Sequence, residues 1–230
     1  MKKISLLFLS GFLAFASFSQ VTLGLRVSPT MSLNRVKDLN SADGVEFSNN
    51  SSGVRFAFGP TLDFKIGENY AFSTGAWYLS SRAGLSGTTF SGTPLATTYK
   101  EVVSLQSIQV PITFKVYTNE ITTNMKLYFQ LGGLATFNFY EKFKESSTVP
   151  ALPQPASYEN KYNLFDVSLY LGTGVSYKIG ESNALFAGVY YNRGLINMLD
   201  GSKIGSTQNK WNDAAKYNTD LIGLELGVTF

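Results

Sequence analysis

Residues 54–66 read VRFAFGPTLDFKI. Val54, Phe56, Phe58, Pro60, Leu62, Phe64 and Ile66 fall on one face of an extended chain, and Arg55, Ala57, Gly59, Thr61, Asp63 and Lys65 on the other. A period of two is the mark of a β-strand with one apolar face. The same sorting extends in both directions. Val21, Leu23, Leu25 and Val27 oppose Thr22, Gly24, Arg26 and Ser28. Ile108, Val110, Ile112, Phe114 and Val116 oppose Gln109, Pro111, Thr113 and Lys115. Similar runs cover residues 127–139, 165–178 and 222–230, whereas residues 70–81 and 184–199 alternate less cleanly. Helical periodicity is almost absent. The count comes to about eight strands, the smallest common size of a transmembrane barrel.

The connections sort into two kinds. Residues 67–69, 118–124 and 180–183 are short, and residues 37–52, 83–98, 141–160 and 200–216 are long and polar. Long and short alternate along the chain, as they must in an up-and-down barrel with short periplasmic turns and longer extracellular loops. Two of the short turns lie in near-repeats, FKIGENYAFSTGAWY from Phe64 and YKIGESNALFAGVYY from Tyr177. Gly and Asn tolerate the positive φ that tight hairpins need, so both stretches read as periplasmic hairpin tips under the same local demands.

Composition agrees. Charged residues make up 15% of the chain, below the quarter or so usual in soluble domains, beside 13 Tyr and 18 Phe. Met1-Lys2-Lys3, the apolar stretch from Ile4 to Phe15 and Ser17-Phe18-Ser19 read as a signal peptide over residues 1–19, with the barrel domain at 20–230. Beyond that segment no apolar run is long enough for a membrane helix. The absence of Cys excludes disulfides, thiol chemistry and a lipidated mature N-terminus. A net charge of +3 without a basic run gives nucleic acid nothing to bind. The expected fold is therefore all-β: a single antiparallel up-and-down barrel in the bacterial outer membrane, surrounded by outer-membrane lipid.

Alternation alone does not say which face points outward, because a soluble lipocalin-like barrel alternates too, with its apolar face inward. The polar face decides. It combines Gly, Ser and Thr with charges of both signs, which suits a narrow lumen. The expected lumen charge network is Arg26, Arg55, Asp63, Lys65, Lys115, Asp166, Lys178 and Glu225. Acids are the scarcer sign there, so each acid is expected to serve more than one base. Aromatics gather toward the strand ends of the apolar face, as interface girdles do.

Three stretches resemble PorT-family outer-membrane β-barrels. IQVPITFKVY, residues 108–117, is similar to that family's IPLLLKY strand, with Ile112-Thr113-Phe114 in place of its consecutive leucines. YNRGLIN, residues 191–197, resembles its Y..GL.NI strand, and residues 221–230 resemble its last strand. The resemblance implies an envelope protein with secretion proteins among its partners. It also implies that Phe230 is part of the signal read by the barrel-assembly machinery.

Catalysis lacks its usual parts. The chain has no His, so a Ser nucleophile has no imidazole to activate it. Asp63, Asp166 and Glu225 are expected to pair with lumen bases and not to act on substrate. Asp200-Gly201-Ser202-Lys203 lacks the further acids of a calcium loop, and no metal or cofactor is expected. About eight strands leave a bore that side chains fill. The expected role is thus a non-enzymatic scaffold or binding surface working through the outer loops, with a secretion accessory as its specific form. A narrow channel and a lipid-modifying enzyme remain the alternatives.

Overall fold

The computed structural model describes residues 21–38, 45–49, 53–89, 94, 97–148, 162–200 and 215–230. The expected signal peptide lies outside them. The strands are β1 (Val21–Ser32), β2 (Arg35–Asp38), β3 (Val45–Asn49), β4 (Val54–Ile66), β5 (Tyr70–Gly75) and β6 (Trp77–Thr89). They continue with β7 (Thr97–Tyr117), β8 (Met125–Thr148), β9 (Phe165–Lys178), β10 (Ala184–Gly194), β11 (Ala215–Asn218) and β12 (Asp220–Thr229). The wall strands β1, β4, β5/β6, β7, β8, β9, β10 and β12 pair antiparallel in that order, and β1 also pairs with β12, which closes the sheet; β2 pairs with β11 and β3 with β6. With β5 and β6 taken as one strand, the result is a closed eight-stranded barrel. Closure satisfies the backbone without an open edge, the condition for crossing lipid with strands.

The break between β5 and β6 has a local cause. The register from Thr61↔Gly75 to Phe58↔Tyr78 sets Ala76 opposite Pro60. The register from Thr74↔Ile112 to Trp77↔Gln109 sets Gly75 opposite Pro111. Each proline lacks the N–H that the ladder needs, so both flanks are weakened at one point. Parity survives the break; residues 70–81 alternate less cleanly because Trp77 and Leu79, both apolar, point inward.

Burial is inverted relative to a soluble domain. Leu25 and Leu224 are 55% and 54% exposed, while Arg26 and Glu225 are each 2% exposed. The apolar stripe faces outward and the polar stripe inward, as lipid requires and the lipocalin-like arrangement forbids. Outward-facing rings cluster at two levels of the outer wall. Phe56, Phe58, Tyr78 and Phe139 neighbour one another toward the long-loop end, and Tyr70 stacks on Phe114 toward the other.

Two expectations need correction. The near-repeated tips do not close alike. The first turns on Gly67 at φ 67°, whereas the second is tied by Ile179 and Gly180 N–H groups donating to the Asn183 carbonyl, and among the described residues Gly180 has no positive φ. The long loops are also shorter than read. β6 runs to Thr89, β7 starts at Thr97 and β8 reaches Thr148. Residues 35–38 pair with 215–218 and continue the β1/β12 ladder. Above the lipid belt the polarity of the alternation reverses. Ala83, Leu85, Val103 and Leu105 point inward and pack with Tyr162, Met198, Leu199 and Tyr217. With water outside, the apolar face turns in.

The orientation is testable. A cysteine at Pro94 or Lys100 is expected to react with an impermeant maleimide on intact cells, and one at Glu68 or Ser182 only after lysis. All four positions are exposed, so the reverse pattern would invert the topology.

Candidate functional site

The lumen is built as a stack. Nearest the short turns, Lys115 Nζ lies 3.1 and 2.9 Å from the two Asp63 carboxylate oxygens, and the Ser73 hydroxyl donates to the same acid. The next layer centres on Arg26 and Glu225. Arg26 Nε is 3.4 Å from Glu225 Oε2, within ion-pair range though not aligned as a hydrogen bond. Glu225 accepts instead from the hydroxyls of Tyr128 at 2.5 Å and Tyr170 at 3.0 Å. The guanidinium lies 3.9 Å from the Trp77 ring centroid and 4.4 Å from that of Tyr190. Tyr190 in turn stacks on Tyr170. A desolvated cation is thus held between one carboxylate and ring faces, which attract it through their quadrupoles.

Above this layer is a small polar chamber lined by Ser107, Gln109, Thr136, Asp166, Ser168 and Asn192 among others, with room for about one water molecule. Asp166 Oδ1 and Asn192 Oδ1 make no hydrogen bond to the described residues. The apolar cluster around Leu105, Met198 and Tyr217 caps the chamber.

Four of the eight expected lumen charges therefore form two ion pairs. The other four do not join them. Lys65 and Lys178 share the lumen parity but stand exposed at the short-turn rim, where water solvates their ammonium groups. Arg55 is half-buried near Arg82, and its Nε and Nη2 make no hydrogen bond to the described residues. Asp166 has no cation within ion-pair range among those residues. The expected sharing of each acid between several bases is not what the lumen contains: each paired acid meets one base, and hydroxyls supply the remaining donors.

A family model described as the outer membrane protein beta-barrel domain matches residues 15–200. The chain belongs to that family. Among solved structures, OprG of Pseudomonas aeruginosa aligns at a TM-score of 0.50 and 14% identity, over 92% of this chain and 97% of OprG. Neisserial surface protein A aligns at 0.44 and 14%, over 91% and 95%. Ail of Yersinia pestis aligns at 0.33 and 14%, over 91% and 98%. At such identity the likeness concerns the fold. No curated protein sequence matches.

For an outer-membrane barrel, the lumen residues that reading by charge overlooked are aromatic: Trp77, Tyr170 and Tyr190. Their signal was parity, since Tyr170 sits between inward Ser168 and Gly172 on β9. Glycines give these rings their seats. A Cβ on Gly223 would lie 2.5 Å from the Tyr190 ring, and one on Gly188 would meet the Tyr128 hydroxyl. The result is a filled bore, in which the carboxylates are committed to ion pairs, tyrosines or a closed chamber.

Proposed function

We propose that this outer-membrane barrel neither conducts nor catalyses, and serves as an envelope scaffold or binding surface at its long-loop end. One observation carries the reading: the bore is occupied layer after layer by ion pairs, stacked rings and an apolar cap. Eight strands leave little room, and here that room is filled by desolvated groups that hold one another. The wall adds support. β6 and β7 continue past the aromatic belt and pack an apolar core against Tyr162, Met198, Leu199, Ala215 and Tyr217, which crossing lipid does not require. Such a core stiffens a platform above the membrane. Two of the candidate acids, Asp63 and Glu225, are neutralised in ion pairs, which favours the non-enzymatic reading. The PorT-like stretches at residues 108–117 and 191–197 make secretion proteins the first partners to test.

A photo-crosslinking residue at Pro94 or Lys142 tests this in living cells. Discrete protein adducts are expected from these positions and not from Glu68. Adducts only from the short-turn end would overturn the reading.

Assembly makes a second demand. Phe230 continues the outward face of β12, is exposed, and donates its N–H to the Leu23 carbonyl at 2.7 Å. In this reading the exposed Phe230 ring is presented to the assembly machinery. Deleting Phe230 is expected to lower the outer-membrane yield several-fold while leaving the heat-shifted gel mobility of the barrels that do insert. An unchanged yield would remove that role.

A further inference from the structure

We propose that Arg35, Lys37, Arg193 and Lys216 form a binding site for phosphorylated lipid headgroups of the outer leaflet. The four lie on the outward wall at the long-loop end. Lys37 and Lys216 face each other directly across the β2/β11 ribbon, and both are exposed. Like charges directly opposite on a sheet repel, so strand pairing alone gives no reason for them. Two residues along the same face stands Arg35. Its Nε and Nη2 donate to the two Asp220 carboxylate oxygens at 2.6 and 3.1 Å, and Nη2 also donates to the Gly194 carbonyl.

This contact orients Arg35 and occupies the carboxylate, yet the Arg35 side chain stays 45% exposed while that of Asp220 is 2% exposed. Tyr191 donates its hydroxyl to Asp220 at 2.9 Å and covers it from the lipid side. Arg193 is the register partner of Asp220 on β10, so Arg35 and Arg193 flank the acid on its two neighbouring strands. Among these five residues, four cations against one engaged carboxylate leave three positive charges in excess.

Position selects the occupant. Immediately below the cations the same wall exposes Leu33, Tyr191 and Ile222. An anion held here can therefore carry acyl chains that continue down an apolar surface. Aromatic side chains mark the headgroup level of a membrane, and Tyr191 stands there. Phosphate oxygens match the guanidinium fork, and the two lysines add point charge. Basic residues at a membrane surface each add about fivefold in affinity for anionic headgroups.

The test uses the folded full-length barrel in detergent micelles and bisphosphorylated lipid A, with its dephosphorylated form as the comparison, read by native mass spectrometry. The wild type is expected to retain the phosphorylated lipid selectively. The double variant Lys37→Gln/Lys216→Gln is expected to bind it about 25-fold more weakly, from two such cations. Lys65→Gln/Lys178→Gln at the opposite rim is expected to match the wild type. Equal binding by the two double variants would overturn the proposal. So would equal retention of the dephosphorylated lipid, or displacement of the lipid by equimolar inorganic phosphate, which would indicate a site for any small anion. If the lysine variant did not fold, Arg193→Gln and the wild-type comparison of the two lipids would decide.

Discussion

Glu225→Gln is expected to lower the unfolding free energy of the barrel by about 3–5 kcal/mol, the usual effect of breaking a buried ion pair. The substitution keeps the shape of the side chain and creates no cavity, so the loss is electrostatic. Arg26 is left in the bore with ring faces but no counter-charge, and a cation–π contact contributes only about 0.5–2 kcal/mol. Tyr128 and Tyr170 both donate to Glu225. A neutral amide offers them one carbonyl oxygen and sets its own N–H donors against one of the hydroxyls. Urea unfolding in lipid vesicles, followed by the fluorescence of Trp77 beside Arg26, measures the change. Adding Arg26→Met to Glu225→Gln is expected to restore most of the loss, because the stranded charge is gone. A single variant within about 1 kcal/mol of the wild type would mean that Arg26 is solvated through an open bore.

The second expectation separates acids that the sequence treats alike. Asp63→Asn strands Lys115 and is expected to cost about 3 kcal/mol or more, whereas Asp166→Asn is expected to leave stability unchanged or raise it. Asp63 receives Lys115 at two oxygens and Ser73 at one of them. Asp166 is as deeply buried, but its Oδ1 meets no donor among the described residues. Removing a charge that has no counter-ion among the described residues relieves desolvation, and the new amide N–H groups can donate to the oxygens lining the chamber. The same unfolding assay compares the two variants. Equal losses would require a counter-charge for Asp166 that the described residues do not provide.

The contrast shows what alternation carries. The stretch VRFAFGPTLDFKI became β4 with the same bounds, Val54–Ile66, and with the faces assigned correctly, because lipid imposes one rule on thirteen consecutive residues. Above the belt the rule changes sign. Ala83, Leu85, Val103 and Leu105 are apolar and inward, so a reader who equates apolar with lipid-facing takes these polar-flanked segments for loops. Within the lumen, parity says which charges point inward but not how high each sits. Asp63 and Lys65 share a face, yet two residues separate a buried ion pair from solvent. The pairing of Arg26 with Glu225, 199 positions along the chain, follows from barrel closure and register, which no local pattern encodes. Arg35 and Asp220 were hidden for a related reason: both lie on the outward face, where alternation leads one to expect apolar residues.

The most direct test of the central claim is the conductance of purified, refolded wild-type barrel in a planar lipid bilayer. A bore filled by the Lys115–Asp63 pair, the Arg26–Glu225 layer with its rings, and the apolar cap predicts no ohmic current above the bare bilayer. Insertion is verified in the same preparation by heat-shifted gel mobility. Stable unitary currents from wild-type protein would contradict the account and make the narrow channel the better description.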